Sequence, residues 1–315
     1  MISAVVPVHN AAGALPQMLK SLRDQKEPDF EVILVDDGSV DGSGTLCDEA
    51  AGLDRRFFCI HQANAGVSAA RNRGMQAARG EYLTFLDADD RVPENYFQSL
   101  LEACRGADCS VCDVAMLRGE TETGRFTLAP QILTQVQALG FLLARRGINS
   151  GPCAKLFRRE LLADLRFPPL KTYEDILFVK DAFLKSRRIA VTNKTVYYYL
   201  QNPQGAMGSM EAAPSLDVVR ATGQLLEFIA ARPELPAQCF YITASHLMQY
   251  AMPLALRGAP ESGEFLRQTK AIYRGYWKEI ARCSAFPWKE KLVFWSFGAG
   301  FAYSDRRLIR FGGQT

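Results

Sequence analysis

A chain of 315 residues with 48% hydrophobic side chains has the length for one large domain, or a domain with an appendage, and ample material for a core. Its formal net charge of +3 is too small to mark a nucleic-acid binder. No run of about 18 apolar residues predicts a transmembrane helix, and Met1-Ile2-Ser3-Ala4-Val5-Val6-Pro7 lacks the basic and apolar regions of a signal peptide. The eight cysteines are scattered, mostly among apolar neighbours, which fits reduced cytoplasmic thiols; Cys109 and Cys112 lack a second pair at zinc spacing and read as structural.

In chain order, residues 2–6 read as a strand and 15–25 as a helix with Leu15, Met18, Leu19 and Leu22 on one face. A strand over 31–35 runs into Asp36-Asp37-Gly38-Ser39, followed by a helix over 43–51 and a strand over 57–61. After Asn64-Ala65-Gly66 a helix passes through Arg71 to Ala78, Gly80 breaks it, and a fourth strand, Tyr82-Leu83-Thr84-Phe85-Leu86, delivers Asp87-Ala88-Asp89-Asp90. This alternation is the pattern of βαβ units around a mainly parallel sheet. A helix from Pro93 to about Arg105, a strand over 108–115, a turn or hairpin over 119–124 and a helix over 134–145 follow. Residues 155–162 read as a short helix and 191–200 as an aromatic strand. Beyond Pro203 the segments 216–230, 240–256 and 264–282 read as helices, so a domain boundary is expected near 205–215. The expected domains are 1–210, an α/β unit, and 211–315, a helical extension.

Three loops leave the carboxyl ends of these strands: Pro7-Val8-His9-Asn10, Asp36-Asp37-Gly38-Ser39 and Asp87-Ala88-Asp89-Asp90. Open α/β sheets hold ligands at that edge. Carboxylates bunched as tightly as Asp87, Asp89 and Asp90 repel one another unless a cation neutralises them, and hard cations such as Mg²⁺ or Mn²⁺ take carboxylate and phosphate oxygens. The chemistry indicated is work on a metal-bound diphosphate. A carboxylate such as Asp37 can accept a hydrogen bond from a base N–H, and Arg71 can offset phosphate or carboxylate charge. Taken singly, each Asp, Asn or Gly is also ordinary turn chemistry; convergence on one sheet edge is what sets them apart.

The segments Val5-Val6-Pro7-Val8-His9-Asn10, Val35-Asp36-Asp37-Gly38-Ser39-Val40-Asp41-Gly42-Ser43, Asn64-Ala65-Gly66-Val67-Ser68-Ala69-Ala70-Arg71-Asn72 and Gly80 to Asp90 closely resemble family 2 glycosyltransferases of the GT-A fold. The likeness covers roughly the first 115 residues and continues more loosely in 153–162, 173–178 and Tyr197-Tyr198-Tyr199. It implies an α/β, Rossmann-like, mostly parallel sheet and a nucleotide-sugar donor, most often a uridine diphosphate sugar, held with Mn²⁺ or Mg²⁺. By position, Pro7 and Asp37 would line the nucleobase pocket, with Asn64 and Gly66 beside base and ribose. Arg71, Asp87 and Ala88 would complete the donor-binding set, and Asp89 would bind the metal. Glu174-Asp175 would supply the base, with Asp175 in that role. The chemistry agrees: an inverting transfer needs a carboxylate facing the anomeric carbon opposite the leaving diphosphate. The same pair also reads as acidic residues at a helix N-terminus, favourable to its dipole.

The chain departs from the family pattern at His9, where Tyr is usual, and after Tyr199, where an Arg before Gly-Ser is usual and Leu200-Gln201-Asn202-Pro203 stands. A basic group helping the diphosphate depart is then missing or supplied by Lys155, Arg158 or Arg159. His61 and His246 read as structural. At the other end, Lys289-Glu290-Lys291, the apolar run 292–303 and Arg306, Arg307 and Arg310 read either as peripheral membrane contact over 289–310 or as a packed terminal helix.

The resulting expectation is an inverting, metal-dependent glycosyltransferase, cytoplasmic and at the inner face of the membrane. It would act on a glycan or lipid-linked acceptor in surface polysaccharide synthesis. A nucleotidyltransferase would carry a Gly-rich basic loop where Pro7-Val8-His9-Asn10-Ala11-Ala12-Gly13 stands. A nucleotide-sugar-binding partner subunit without turnover is the alternative from another class.

Overall fold

Among the described residues nine strands form one sheet in the order β3-β2-β1-β4-β8-β5-β9-β7, with β6 hydrogen-bonded to β5. The computed structural model describes residues 1–27, 29–201, 215–257 and 263–300, with the side chains of 256 and 257 excluded. Its first half is β1 (Ile2–Val8), α1 (Leu15–Arg23), β2 (Phe30–Asp37), α2 (Ser43–Leu53), β3 (Phe57–Gln62), α3 (Val67–Ala77) and β4 (Tyr82–Phe85). Strands β1 to β4 pair parallel, each crossover carried by a helix. Every residue of β2 is buried, the continuous apolar pattern of a strand covered on both faces. The apolar face of α1 supplies Leu15, Met18, Leu19 and Leu22 to that core.

Next come α4 (Tyr96–Cys104), β5 (Cys109–Arg118), β6 (Thr121–Phe126), β7 (Gln131–Thr134), α5 (Gln135–Leu143), β8 (Lys155–Arg158), a 3₁₀ turn over Arg159–Leu162, α6 (Glu174–Lys185) and β9 (Arg188–Leu200). Strand β8 runs antiparallel between β4 and β5, and β5 pairs parallel with β9. Strands β1 to β5 and β9 therefore run one way, while β6, β7 and β8 run against them.

The helix expected over 155–162 is not there: its first half is β8 and its second the 3₁₀ turn. Leu156 and Phe157 are both fully buried, one on each face of the sheet, and the backbone fills the slot that β4 and β5 would leave unpaired. A short apolar run does not distinguish such a strand from a helix by periodicity. The two-residue turn between β5 and β6 makes the expected hairpin, whereas the four-residue β7 was not expected at all.

By internal contacts the chain divides into two units, Met1–Leu142 with Arg146–Asn202, and Leu143–Arg145 with Pro203–Thr315. The boundary expected near 205–215 lies, except for Ser215, outside the described residues. The second unit is helical: α7 (Leu216–Ala230), α8 (Ala237–Arg257), α9 (Gly263–Gly275), α10 (Trp277–Arg282) and α11 (Trp288–Ala299). Ser215 caps α7 by accepting a hydrogen bond from the Asp217 N–H. The single helix expected over 264–282 is two, parted where Gly275 ends α9 and Tyr276 enters α10 in a non-helical conformation. Tyr273, Phe294, Phe297 and Phe286 build an aromatic core in this unit.

Candidate active site

Because β1, β2 and β4 are parallel neighbours, the loops after them open on one sheet edge. The Asp37 carboxylate, only 3% exposed, is the staple of that edge. Its Oδ1 accepts from the Gln62 side chain and the Ala65 N–H, and its Oδ2 from the Gly66 N–H, all at 2.8 Å. Gly38, at φ +69°, lets the Asn64 backbone pass so close that a Cβ there would stand 2.8 Å from its nitrogen. His9 ties in the first loop. Its Nδ1 lies 2.9 Å from the Asp37 carbonyl oxygen, an acceptor, so that nitrogen carries the proton. Nε2 is left to accept from the side-chain amides of Asn10 and Asn64 at 3.2 and 3.3 Å. Pro7 is half-buried, while Asn64 and Gly66 are exposed. The four residues expected around the nucleobase thus stand together, with Asp37 mostly occupied in holding the other loop.

The acidic segment after β4 is shaped from the far side of the sheet. Tyr197 of β9 donates to Asp90 Oδ2 at 2.6 Å and accepts the Asp87 N–H at 3.1 Å, while the Leu200 N–H reaches Asp90 Oδ1 at 2.8 Å. Asp90 is 1% exposed, and burial, then Asp87, raises it well above the usual carboxylate range. Asp87 is half-buried and Ala88 buried, which leaves Asp89 as the carboxylate facing solvent. Although its side chain reaches water, crowding by the surrounding protein and then the Asp87 charge hold Asp89 above the usual range too. Three carboxylates in four residues carry more negative charge than one paired side chain offsets. One exposed and one half-exposed carboxylate fit a hard dication that takes its other ligands from phosphates. In the sequence Tyr197 stands out as a strand aromatic and as part of the looser family likeness, with no site role; the available signal is a tyrosine in a buried strand, whose hydroxyl needs a partner.

Arg71 joins this segment to α6. The guanidinium is buried, with Nη2 at 2.8 Å from Asp87 Oδ1 and Nη1 at 2.9 Å from Glu174 Oε1. It lies over the Phe167 ring at 5.3 Å, and Phe167 stacks on Phe178 of α6 at 3.8 Å. Of the two charges expected for Arg71 to offset, it meets carboxylate. Glu174 is buried and pushed up to about 6 by that burial and by Asp175, against the pull of Arg71. Asp175 is half-exposed in the first turn of α6, which Tyr173 enters at φ +66°. Its Oδ2 stands 3.9 Å from where a Cβ on Gly151 would be. The 149–153 loop comes to the same place, with Cys153 Sγ 3.4 Å from Asp87 Oδ2.

The three basic candidates for assisting the diphosphate are committed elsewhere. Lys155 is fully buried, its amine bonded to Asn149 O and Oδ1, Gly151 O and Cys153 O at 2.6–3.2 Å, and burial lowers it to about 8. It anchors the 149–153 loop. Arg158 pairs in register with Tyr82, the first residue of β4, so it and Arg159 lie at the opposite edge of the sheet. There Arg158 pairs with Glu81 at 2.9 Å and Arg159 donates to the Gly80 carbonyl at 2.6 Å. Both line a cavity of about 480 Å³ that the acidic segment does not share.

Asp48, Cys59 and His61 cluster on α2 and β3 at metal-ligand spacing. His61 sits between Asp36 at 2.9 Å and Asp48 at 3.0 Å, which raise it to about 9. The imidazolium is itself the cation that neutralises the two carboxylates.

With this geometry in place, residues 3–166 match the model of Glycosyl transferase family 2, just over half of the chain. The chain belongs to that family. An uncharacterized glycosyltransferase, EpsJ of Bacillus subtilis, is 31% identical over 228 residues, 69% of this chain and 65% of that protein. A putative teichuronic acid biosynthesis glycosyltransferase, TuaG of the same organism, is 27% identical over 56% of this chain and 69% of its own length. The fold is that of Staphylococcus aureus TarS 1-349, solved in complex with UDP-GlcNAc: the TM-score is 0.76 at 20% identity, over 95% of this chain and 87% of that one. The mixed, mostly parallel GT-A sheet followed by helices is thereby shown.

Proposed function

We propose that this chain transfers a sugar from a uridine diphosphate donor to a hydroxyl of a glycan or lipid-linked acceptor in surface polysaccharide synthesis, with inversion at the anomeric carbon. The observation that carries the reading is Arg71, which ties the Asp87–Asp90 segment to the Glu174-Asp175 pair across one crevice. The similarity to TuaG and the fold shared with a UDP-GlcNAc-binding protein support the donor class and the pathway. We place its site of action in the cytoplasm, where eight cysteines scattered among mostly apolar neighbours would stay reduced.

In this reading Pro7, Asn64 and Gly66 form the nucleobase pocket, and Asp37 sets the shape of its backbone. Of about four lone-pair sites on a carboxylate, three are used internally, so one remains for a base N–H. Asp87 and Ala88 lie toward the ribose and the sugar, with Arg71 fixing the Asp87 carboxylate. Asp89, with Asp87 behind it, would hold Mn²⁺ or Mg²⁺, which when bound supplies positive charge to the departing diphosphate. Asp175 takes the proton of the acceptor hydroxyl as that oxygen bonds to the anomeric carbon. The bond from that carbon to the diphosphate breaks, and the nucleoside diphosphate leaves with the electron pair. Glu174, buried and paired, acts as the positioning residue that keeps Asp175 on the crevice wall.

A thermal-shift panel of nucleotide diphosphates and their sugars, with Mn²⁺ or with chelator, tests this, because only a ligand of the native state raises Tm. Manganese-dependent stabilisation by a uridine diphosphate sugar, cancelled by chelator and in Asp89→Asn, is expected. Absence of a shift with every nucleotide overturns the donor site. Stabilisation without release of any sugar to water or acceptor overturns turnover and leaves a binding subunit.

A further inference from the structure

The loop over 149–153 brings a second polar group to Asp175, and its orientation is fixed. Lys155 Nζ donates to Asn149 Oδ1 at 2.7 Å. An ammonium offers only protons, so the oxygen of that amide faces Lys155 and its NH₂ faces away. It faces Gly151: Asn149 Nδ2 lies 3.3 Å from where a Cβ on Gly151 would be, and Asp175 Oδ2 lies 3.9 Å from the same point. The other Asp175 oxygen, Oδ1, takes the Ile176 N–H at 2.6 Å. Neither Asp175 Oδ2 nor Asn149 Nδ2 has a hydrogen-bond partner among the described residues. Asn149, Gly151 and Asp175 are all half-buried, so water or a ligand reaches them.

Gly151 does not have a positive φ, so its conformation does not call for glycine. What the residue contributes is space. An amide donor and a carboxylate oxygen both face that space, each with bonding capacity unused. Three of the four bonds to the Lys155 amine come from backbone carbonyls, of Asn149, Gly151 and Cys153, so the loop is held whatever side chain stands at 149.

In the proposed reaction Asp175 Oδ2 takes the proton of the attacking hydroxyl. On a sugar ring the neighbouring carbon commonly carries a second hydroxyl, whose oxygen can accept from Asn149 Nδ2. A simple alcohol would leave that amide unmatched. We infer that Asn149 and Gly151 are acceptor-specificity residues, and that the acceptor is a sugar with a second hydroxyl beside the one that attacks. The inference rests on Asp175 being the base. It concerns the sugar and needs no lipid: no described helix is long and apolar enough to cross a membrane, and residues 301–310 of the membrane contact expected over 289–310 lie outside the described residues.

The full chain is assayed with Mn²⁺ for release of uridine diphosphate from its sugars, alone and with a panel of p-nitrophenyl hexosides. Product analysis identifies the hydroxyl that is glycosylated, and analogues lacking each neighbouring hydroxyl are then compared with the intact glycoside. The parent chain should prefer the intact glycoside by about tenfold or more in kcat/KM. Asn149→Ala should bring that ratio to within about twofold of one, and a general loss of rate cancels in the ratio. Gly151→Ala, whose methyl fills the space, should raise KM for the glycosides severalfold. Release to water with no transfer to any glycoside, equal use of the deoxy analogues by the parent chain, undiminished discrimination in Asn149→Ala, or a parental KM in Gly151→Ala overturns the acceptor assignment and leaves the donor reading standing. Release from no donor at all overturns both.

Discussion

Arg71 and Glu174 stand 103 residues apart in the chain, and their side chains meet at 2.9 Å in the interior of the first unit. The same guanidinium holds Asp87 at 2.8 Å, so one buried cation fixes both the acidic segment after β4 and the start of α6. Removing a partner from a buried pair leaves an uncompensated charge. Arg71→Met should therefore cost about 3–5 kcal/mol in urea unfolding. Arg71→Lys should fold better but still lose turnover, since an amine lacks the two-pronged geometry. A fully stable and active Arg71→Met would show the bridge to be incidental.

Tyr197 shapes the acidic segment with one hydroxyl, donating to Asp90 and accepting from the Asp87 N–H. Tyr197→Phe keeps the ring and leaves both partners short of a bond. It should lower stability by about 1–3 kcal/mol. A structural role alone would stop there. The positioning role adds a higher Mn²⁺ requirement for donor binding, read by titrating the metal at fixed nucleotide.

His61 makes stability depend on pH. Its pKa is about 9 in the fold against a reference of 6.5, raised by Asp36 and then Asp48. The folded state thus binds this proton more tightly, so the contribution is complete below about 6.5 and is lost as pH rises through 9. The Tm difference between the parent chain and His61→Gln should be largest near pH 6 and vanish by about pH 10. A difference that grows with pH would contradict the imidazolium assignment.

Much of the site was legible because its parts are local. Strands β1, β2 and β4 announce themselves as buried apolar runs, and they lead into the Pro7–Asn10, Asp36–Ser39 and Asp87–Asp90 segments at the edge where ligands sit. What was not legible is carried by long-range pairs. Tyr197 reaches Asp90 across 107 residues, and nothing around it in sequence marks that use. Lys155 stands among the candidate cations for the diphosphate in the sequence because the four carbonyl and amide oxygens that hold its amine come from a loop that only the fold closes. Arg158 and Arg159, two of the three basic groups offered as alternatives to a missing one, lie at the opposite edge because the gap between β4 and β5 sets the antiparallel direction of β8, which a short apolar run does not announce.

The proposed role of Asp175 as the base is put to the test by Asp175→Asn. Turnover of a uridine diphosphate sugar, to acceptor and to water, is measured beside calorimetric binding of the same donor with Mn²⁺. The side chain is half-exposed and nearly isosteric with Asn, so folding and binding should be retained while transfer falls by about 10²–10⁴. Transfer within a few-fold of the parent would contradict the assignment of the base, and with it the inverting mechanism built on it.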